Sequence, residues 1–332
     1  MTNQEILPLV SSLSFNPQKN CFSCSISNSF KVYNSNPFHK RFKRAFENKN
    51  INIVEMLGSS NILVIVFENK PNQLTIWDDY QSQDLITLDF DTKITSAKLF
   101  IDKVVVCCLN KVIVYRFDSL EEIERISTCN NPKGLIAVTE NIRQNLDVLA
   151  VPGEKKGEIV LNKYGNNPFV SKFKTFDQQI ETFELSKNGK LLGVCSIDGT
   201  LIRIFNCETK YCVYQFKRGK KKAVIFSMSF NKNNSLLAIT SNRKSIHIFE
   251  IPADVSQRPT KNREKKGLKL GKYGLKNNRS MMKYQLNNIC YNTIAFVNDE
   301  LIVVSNNGWY YRFSVNVDKK EIKQKEENHF VK

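Results

Sequence analysis

The chain has 332 residues, and 49 Lys+Arg against 32 Asp+Glu leave it a formal charge of +17. With 41% hydrophobic and 11% aromatic residues it can bury a substantial core, which excludes wholesale disorder, a collagen-like rod and a disulfide-stapled miniprotein. Its longest apolar runs, such as Ile62 to Phe67, fall far short of the roughly 20 residues that span a bilayer.

The opening residues MTNQEILPLV have neither a basic start nor a long apolar stretch, so a secretory leader is not expected and a cytoplasmic protein is. Short strands then follow one another, each group ending in an aromatic or large apolar residue. FKVY ends at Tyr33, LTIW at Trp77, VIVY at Tyr115, EIVL at Leu161, LIRIF at Phe205, SIHIF at Phe249 and WYYRF at Phe313. The spacings are 44, 38, 46, 44, 44 and 64 residues; five of them sit near the roughly 40–45 of a four-stranded propeller blade. The sixth implies an insertion between Phe249 and Phe313.

The fifth unit shows the pattern best. IETFELS runs into the turn Lys187-Asn188-Gly189, then LLGVCSI, then the turn Asp198-Gly199, then LIRIF, with β-branched and aromatic residues in the strands and turn formers between them. The sixth repeats it as AVIFSMSF, NKNN, SLLAITS, NRK and SIHIF. The reading is an all-β, seven-bladed β-propeller over residues 1–317, with residues 252–283 inserted in blade six. A charged tail at 318–332 follows, frayed or helical at most. The ring closes either by pairing of Ile6 to Val10 with the last blade or not at all.

Nine cysteines, odd in number and dispersed, read as reduced thiols. Cys21 and Cys24 lack a second pair or a nearby His, whereas a structural zinc needs four ligands. The histidines His39, His247 and His329 are scattered, no phosphate-loop or nucleophile-elbow motif occurs, and an enzyme, a metal or a cofactor is not expected.

The charge is concentrated. Residues 258–283 hold ten Lys/Arg and one acid, and Lys217, Arg218, Lys220, Lys221 and Lys222 add five more cations, so about +14 of the +17 lies in two segments of blades five and six. A polyanion, nucleic acid or an anionic membrane, is the implied partner. Stacking platforms or a groove-reading helix are not identifiable, so nucleic acid is not expected; a lysine-rich loop can also serve nuclear import.

The segment FKRG, Phe216 to Gly219, lies in DGTLIRIFNCETKYCVYQFKRG and precedes SMSFNKNNSLLAITSNRKSIHIF. It resembles the Phe/Leu-Arg-Arg-Gly signature of the PROPPIN family, seven-bladed WD-repeat propellers that bind phosphoinositides. LSFNPQKN, FKVYNSNPF, INIVEMLGSSN, IWDD, TCNNPKGL, VPGEKKGE and NNGWYYRF are similar to family segments as well, so the likeness runs from about Leu13 to Phe313.

The resemblance implies two headgroup pockets on the rim of blades five and six, one on each side of the signature. The second would use Arg218, Ser241, Ser245 and His247: an Arg fork meets a phosphomonoester with paired charge-assisted bonds, and hydroxyls and imidazole complete the oxygen shell. The first retains Thr200 and Arg203, with Lys217 in place of the first arginine, Asp198 where the family has a lysine and Phe176 where it has a histidine. Lysine lacks the planar fork and an acid repels phosphate, so the second pocket is expected to dominate. Gly219 would let the backbone turn after the two cations. The insertion matches a membrane-contacting loop, here Lys265, Lys266, Leu268, Lys269, Leu270, Lys272, Tyr273 and Leu275, and attachment through it is expected to be electrostatic.

The resemblance further implies a monomer that binds phosphatidylinositol 3-phosphate and the 3,5-bisphosphate. It would act peripherally on preautophagosomal, endosomal or vacuolar membranes with an autophagy lipid-transfer protein as partner. The alternative is a protein-interaction scaffold whose lipid sites have decayed.

Overall fold

The computed structural model describes residues 10–165, 167–252, 279–287 and 290–331. They form 28 strands, numbered β1–β28 in chain order, in seven antiparallel four-stranded sheets, each built from four consecutive strands. No helix occurs among the described residues. The predicted all-β, seven-bladed propeller is therefore the fold.

The aromatic-ended strands of the sequence are the third strands of the blades: β3 (Ser29–Asn34), β7 (Gln73–Asp78), β11 (Lys111–Arg116), β15 (Glu158–Lys163), β19 (Leu201–Asn206), β23 (Ser245–Glu250) and β27 (Trp309–Asn316). Their side chains alternate between the two neighbouring seams. In β19, Ile202 and Ile204 pack towards blade six and Phe205 towards blade four. Seven apolar clusters result among the described residues, one at each seam. Blade four departs from the expected register: Leu161 packs with blade five, and the place of the seam aromatic is taken by buried Asn162, whose amide donates to Glu124 Oε1 (2.5 Å).

Residues 318–332 are not a separate tail. Glu321–His329 form β28, paired along its length with β27, and Phe330 behind it is buried. The free edge of β27 supplies backbone partners whatever the side chains, so a charged sequence becomes a strand there. Of the segment expected at the ring closure, Ile6 to Leu9 lie outside the described residues. The last blade completes itself, and Val10 N–H, the part of the 6–10 segment that is described, donates to Asn306 O (2.9 Å). The seam is closed by side chains: Phe22, Tyr33, Phe38 and Tyr310 stack and Phe330 meets Phe22 edge-on, Tyr33 Oη donates to Phe330 O and Tyr310 Oη to Ser35 O, both at 2.8 Å.

All nine cysteines are free, six of them buried. Cys21 and Cys24 face opposite seams, so they cannot share an ion, and no metal-ligand cluster occurs among the described residues.

Candidate functional site

The signature terminates β20 (Cys212–Lys217), the outer strand of blade five. Strand alternation turns Phe216 into the seam with blade six, where its ring centroid lies 4.7 Å from that of Phe249. Gln215 and Lys217 take the other face, towards blade four. Arg218 follows the strand, its N–H fixed by Thr200 O (2.9 Å). Its Nε donates to Gly199 O and its Nη2 to Lys221 O. Half-buried in this position, the guanidinium is held below its usual range by burial, with the Arg243 charge acting the same way.

The second pocket's predicted residues converge at the seam between blades five and six. Ser241 ends β22 (Leu236–Ser241) and Ser245 begins β23 across the turn, with their hydroxyls 3.3 Å apart. His247 continues the chain of polar groups, Nε2 to Ser245 Oγ at 3.1 Å and Nδ1 to Ser280 Oγ at 3.0 Å. It is buried, and burial followed by the charges of Arg218 and Lys283 pushes its pKa down to about 4. At neutral pH it is thus a neutral imidazole beside two cations, an arrangement that an arriving dianion would relieve. Among the described residues no carboxylate forms an ion pair with Arg218, Arg243, Lys244 or Lys283.

Two contributors were not singled out from sequence. Ser280 approaches His247 from the far end of the insertion, and Lys283 lies directly opposite His247 in β24 (Met282–Gln285). The insertion's length hides that register; only the position of β24 against β23 reveals it. The insertion itself ends sooner than its predicted bound, since Met282 and Lys283 already belong to β24.

The first pocket's residues assemble differently, at the seam between blades four and five. Arg203 donates through Nη1 to Thr175 O (2.6 Å) and through Nε to Gln215 Oε1 (3.1 Å), with its guanidinium carbon 4.2 Å from the Phe176 ring centroid. The aromatic ring standing in the histidine's place thus serves as a cation-π platform. Thr200 and Lys217 are half-buried, Lys217 facing Leu201 in the strand pair. Asp198 is already engaged, by Lys222 Nζ at 2.6 Å and by the Gln178 amide, which hold its carboxyl below the usual range. The acid thus has a counter-charge, at the cost of one cation from the 217–222 cluster.

Gly199 is the turn residue that the sequence indicates, while Gly219 does not have the special backbone role expected of it. Gly199 has φ +60° and a Cβ there would lie 1.8 Å from Ala223 O, whereas Gly219 lies outside the left-handed region with open space where a Cβ would be. The predicted membrane-contact residues Lys265, Lys266, Leu268, Lys269, Leu270, Lys272, Tyr273 and Leu275 fall outside the described residues. No helix among the described residues is long and apolar enough to cross a membrane.

Comparison with known proteins supplies the context for this rim. The PROPPIN family model matches residues 9–317. The chain is 32% identical to autophagy-related protein 18e of Arabidopsis thaliana over 286 residues, covering 83% of this chain and 75% of that protein. It is 27% identical to SVP1-like protein 2 of Schizosaccharomyces pombe, covering 73% and 68% of the two chains. Among solved structures, Kluyveromyces lactis Hsv2 superposes with a TM-score of 0.80 at 22% identity, covering 97% of this chain and 99% of its own. KlAtg21, solved in complex with the coiled coil of AgAtg16, superposes at 0.72 with 19% identity over 97% and 99% of the two chains.

Proposed function

This chain belongs to the PROPPIN family, and from that premise we propose that it is a peripheral phosphoinositide effector of autophagy, recognising phosphatidylinositol 3-phosphate and the 3,5-bisphosphate. The observation that carries the reading is the cluster at the seam of blades five and six: Arg218, Ser241, Ser245, His247, Ser280 and Lys283 gather hydroxyl, imidazole and cationic donors, and no acid among the described residues forms an ion pair with these cations. A phosphomonoester offers the charge and the multiple acceptor oxygens that such a set lacks. The Arg203 seam supplies a weaker second site, because Lys217 brings a point charge without a planar fork and the cation Lys222 is spent there on Asp198. The basic insertion adds electrostatic attraction to an anionic surface, about 1 kcal/mol per cation near it.

On this reading the protein works as a membrane-recruited scaffold on preautophagosomal, endosomal or vacuolar membranes. Its partners are autophagy machinery, namely a lipid-transfer protein and a coiled coil of the kind bound by KlAtg21. Vesicle co-sedimentation with phosphatidylinositol 3-phosphate tests it. Lys217→Thr combined with Arg218→Thr should strongly weaken vesicle binding and reduce membrane association in cells; unchanged membrane association would favour a scaffold with decayed lipid sites.

A further inference from the structure

The two candidate pockets are built on equivalent positions. His247 in β23 and Arg203 in β19 each stand two residues before the seam aromatic, face the preceding blade, and sit opposite a polar residue of the outer strand, Lys283 and Gln215 respectively. In the remaining blades this position is Lys31, Thr75, Ile113, Val160 and Tyr311. Only blade one also places a cation there.

The surroundings of Lys31 match those of Arg203. Arg203 reaches back to Thr175 O of the connection from the preceding blade; Lys31 Nζ reaches back to Phe330 O (3.1 Å) at the end of blade seven. Opposite Lys31 in β4 (His39–Ala45) is Lys43, and opposite Tyr33 is Lys40. Directly opposed like charges destabilise an antiparallel pair, and this pair has no acid among the described residues to offset it. Burial, with the charges of Lys43 and Lys40, holds the Lys31 ammonium below the usual lysine range.

The outer strand as a whole is unusual. HKRFKRA carries +4, whereas the other six outer strands carry between −2 and +2. Lysines that merely guard a free sheet edge would account for exposed Lys40 and Lys43. They would not account for a third cation, partly buried, on the neighbouring inner strand. Of the strand's cations, Arg44 is separately committed to Asp79 (2.8 Å).

We propose that Lys31, Lys40 and Lys43 form a third anion site, at the seam of blades seven and one, that takes a phosphomonoester. The inference rests on reading the equivalent positions of blades five and six as headgroup sites. Seams of a seven-fold ring are roughly 51° apart, so this site lies about 100° around the rim from the Arg218 seam. It faces a different surface from the one that engages a flat bilayer there. The phosphate is therefore supplied either by a second membrane or by a soluble phosphorylated ligand.

The test titrates full-length protein with inositol 1,3-bisphosphate by calorimetry and, in parallel, with vesicles bearing phosphatidylinositol 3-phosphate. Lys217→Thr/Arg218→Thr protein should keep one headgroup equivalent, and adding Lys31→Met/Lys43→Met should weaken that binding at least tenfold. Lys31→Arg/Lys43→Arg should restore it. Because the Met pair removes a repulsion, its unfolding temperature should equal or exceed that of the parent, which separates lost binding from lost folding.

Complete loss of headgroup binding in Lys217→Thr/Arg218→Thr would overturn the third site and leave the rim reading standing. Binding lost through Lys31 and Lys43 but indifferent to Lys217 and Arg218 would do the reverse. Retained binding insensitive to Lys31 and Lys43 would also overturn the third site. Wild-type protein that clusters vesicles, an effect abolished by Lys31→Met/Lys43→Met, assigns the phosphate to a second membrane. Soluble binding without clustering assigns it to a soluble ligand.

Discussion

Arg218→Ala is the perturbation that separates the two pockets. The guanidinium is half-buried, anchored by Gly199 O and Lys221 O, and close enough to His247 to depress its pKa. A hydrogen bond to a charged group contributes about 1.5–3 kcal/mol. Half exposure and screening by salt argue for the lower part of the range for each of two bonds, so the loss should be about 3 kcal/mol, or roughly 150-fold in affinity. Lys217→Ala removes a point charge without a fork and should cost about 1 kcal/mol, roughly fivefold. Calorimetry with soluble headgroup measures both. A second readout reports the pocket without ligand: removing the Arg218 charge should raise the His247 pKa from about 4 towards its ordinary 6.5, followed by NMR of the imidazole. Binding that survives Arg218→Ala but not Lys217→Ala would refute the ranking, and an unmoved His247 would refute the proximity on which it rests.

His247 also makes stability depend on pH. Its folded pKa of about 4 lies below the ordinary 6.5, so between those values the unfolded chain binds a proton that the folded one does not. Stability should therefore be full above about pH 6.5 and fall on acidification towards pH 4, by up to roughly 1.4 kcal/mol per pH unit. Denaturant unfolding of His247→Gln should show a correspondingly shallower decline, and an identical decline would contradict it. Gly199→Ala should destabilise the fold by more than about 2 kcal/mol, because its Cβ meets Ala223 O at 1.8 Å with φ at +60°, whereas Gly219→Ala should leave thermal unfolding unchanged. Truncation after Asp318 removes β28 and the Phe330 plug; burial of that one ring contributes about 1.5–3 kcal/mol. The truncated protein should unfold at a clearly lower temperature and expose dye-binding aromatic surface, and a transition unmoved by the deletion would refute the closure described.

The legible part of the fold is the part whose side chains meet other side chains. Third strands announce themselves because residues such as Tyr33, Trp77 and Phe249 must be large to fill a seam. Outer strands carry no such signal: HKRFKRA and EIKQKEENH form because an adjacent strand offers unpaired backbone, not because their own pattern alternates. Blade four misleads by one residue for a related reason. Asn162 fills the aromatic's place by bonding Glu124, which Tyr164 Oη also reaches at 2.6 Å, so a polar pair replaces the apolar marker. At the site, Arg218, Ser241, Ser245 and His247 were readable through the family resemblance, and their convergence is present in the structure. Ser280 and Lys283 were not, since strand register across an insertion is fixed by backbone pairing alone.

Counter-charge distinguishes the rim from the central channel. In the channel, of about 450 Å³, Lys98 Nζ lies 2.9 Å from Glu55 and 2.8 Å from Ser14 Oγ, and near its wall Lys133 Nζ lies 2.6 Å from Glu181. Lys98, the partly buried cation of the two, has its acid, as removal from water requires. At the seams the same half-burial recurs without an ion-paired acid among the described residues: Arg218 beside His247, and Lys31 opposite Lys43. A fold that balances charge in its interior and leaves it unbalanced at recurrent rim positions retains electrostatic free energy that only an external anion can recover. The apolar wedge beneath each position, such as Phe216 against Phe249 or Tyr33 against Phe330, holds the cation partly out of water. Phosphate binding at these seams should therefore weaken less with added salt than attachment through the lysines of the insertion.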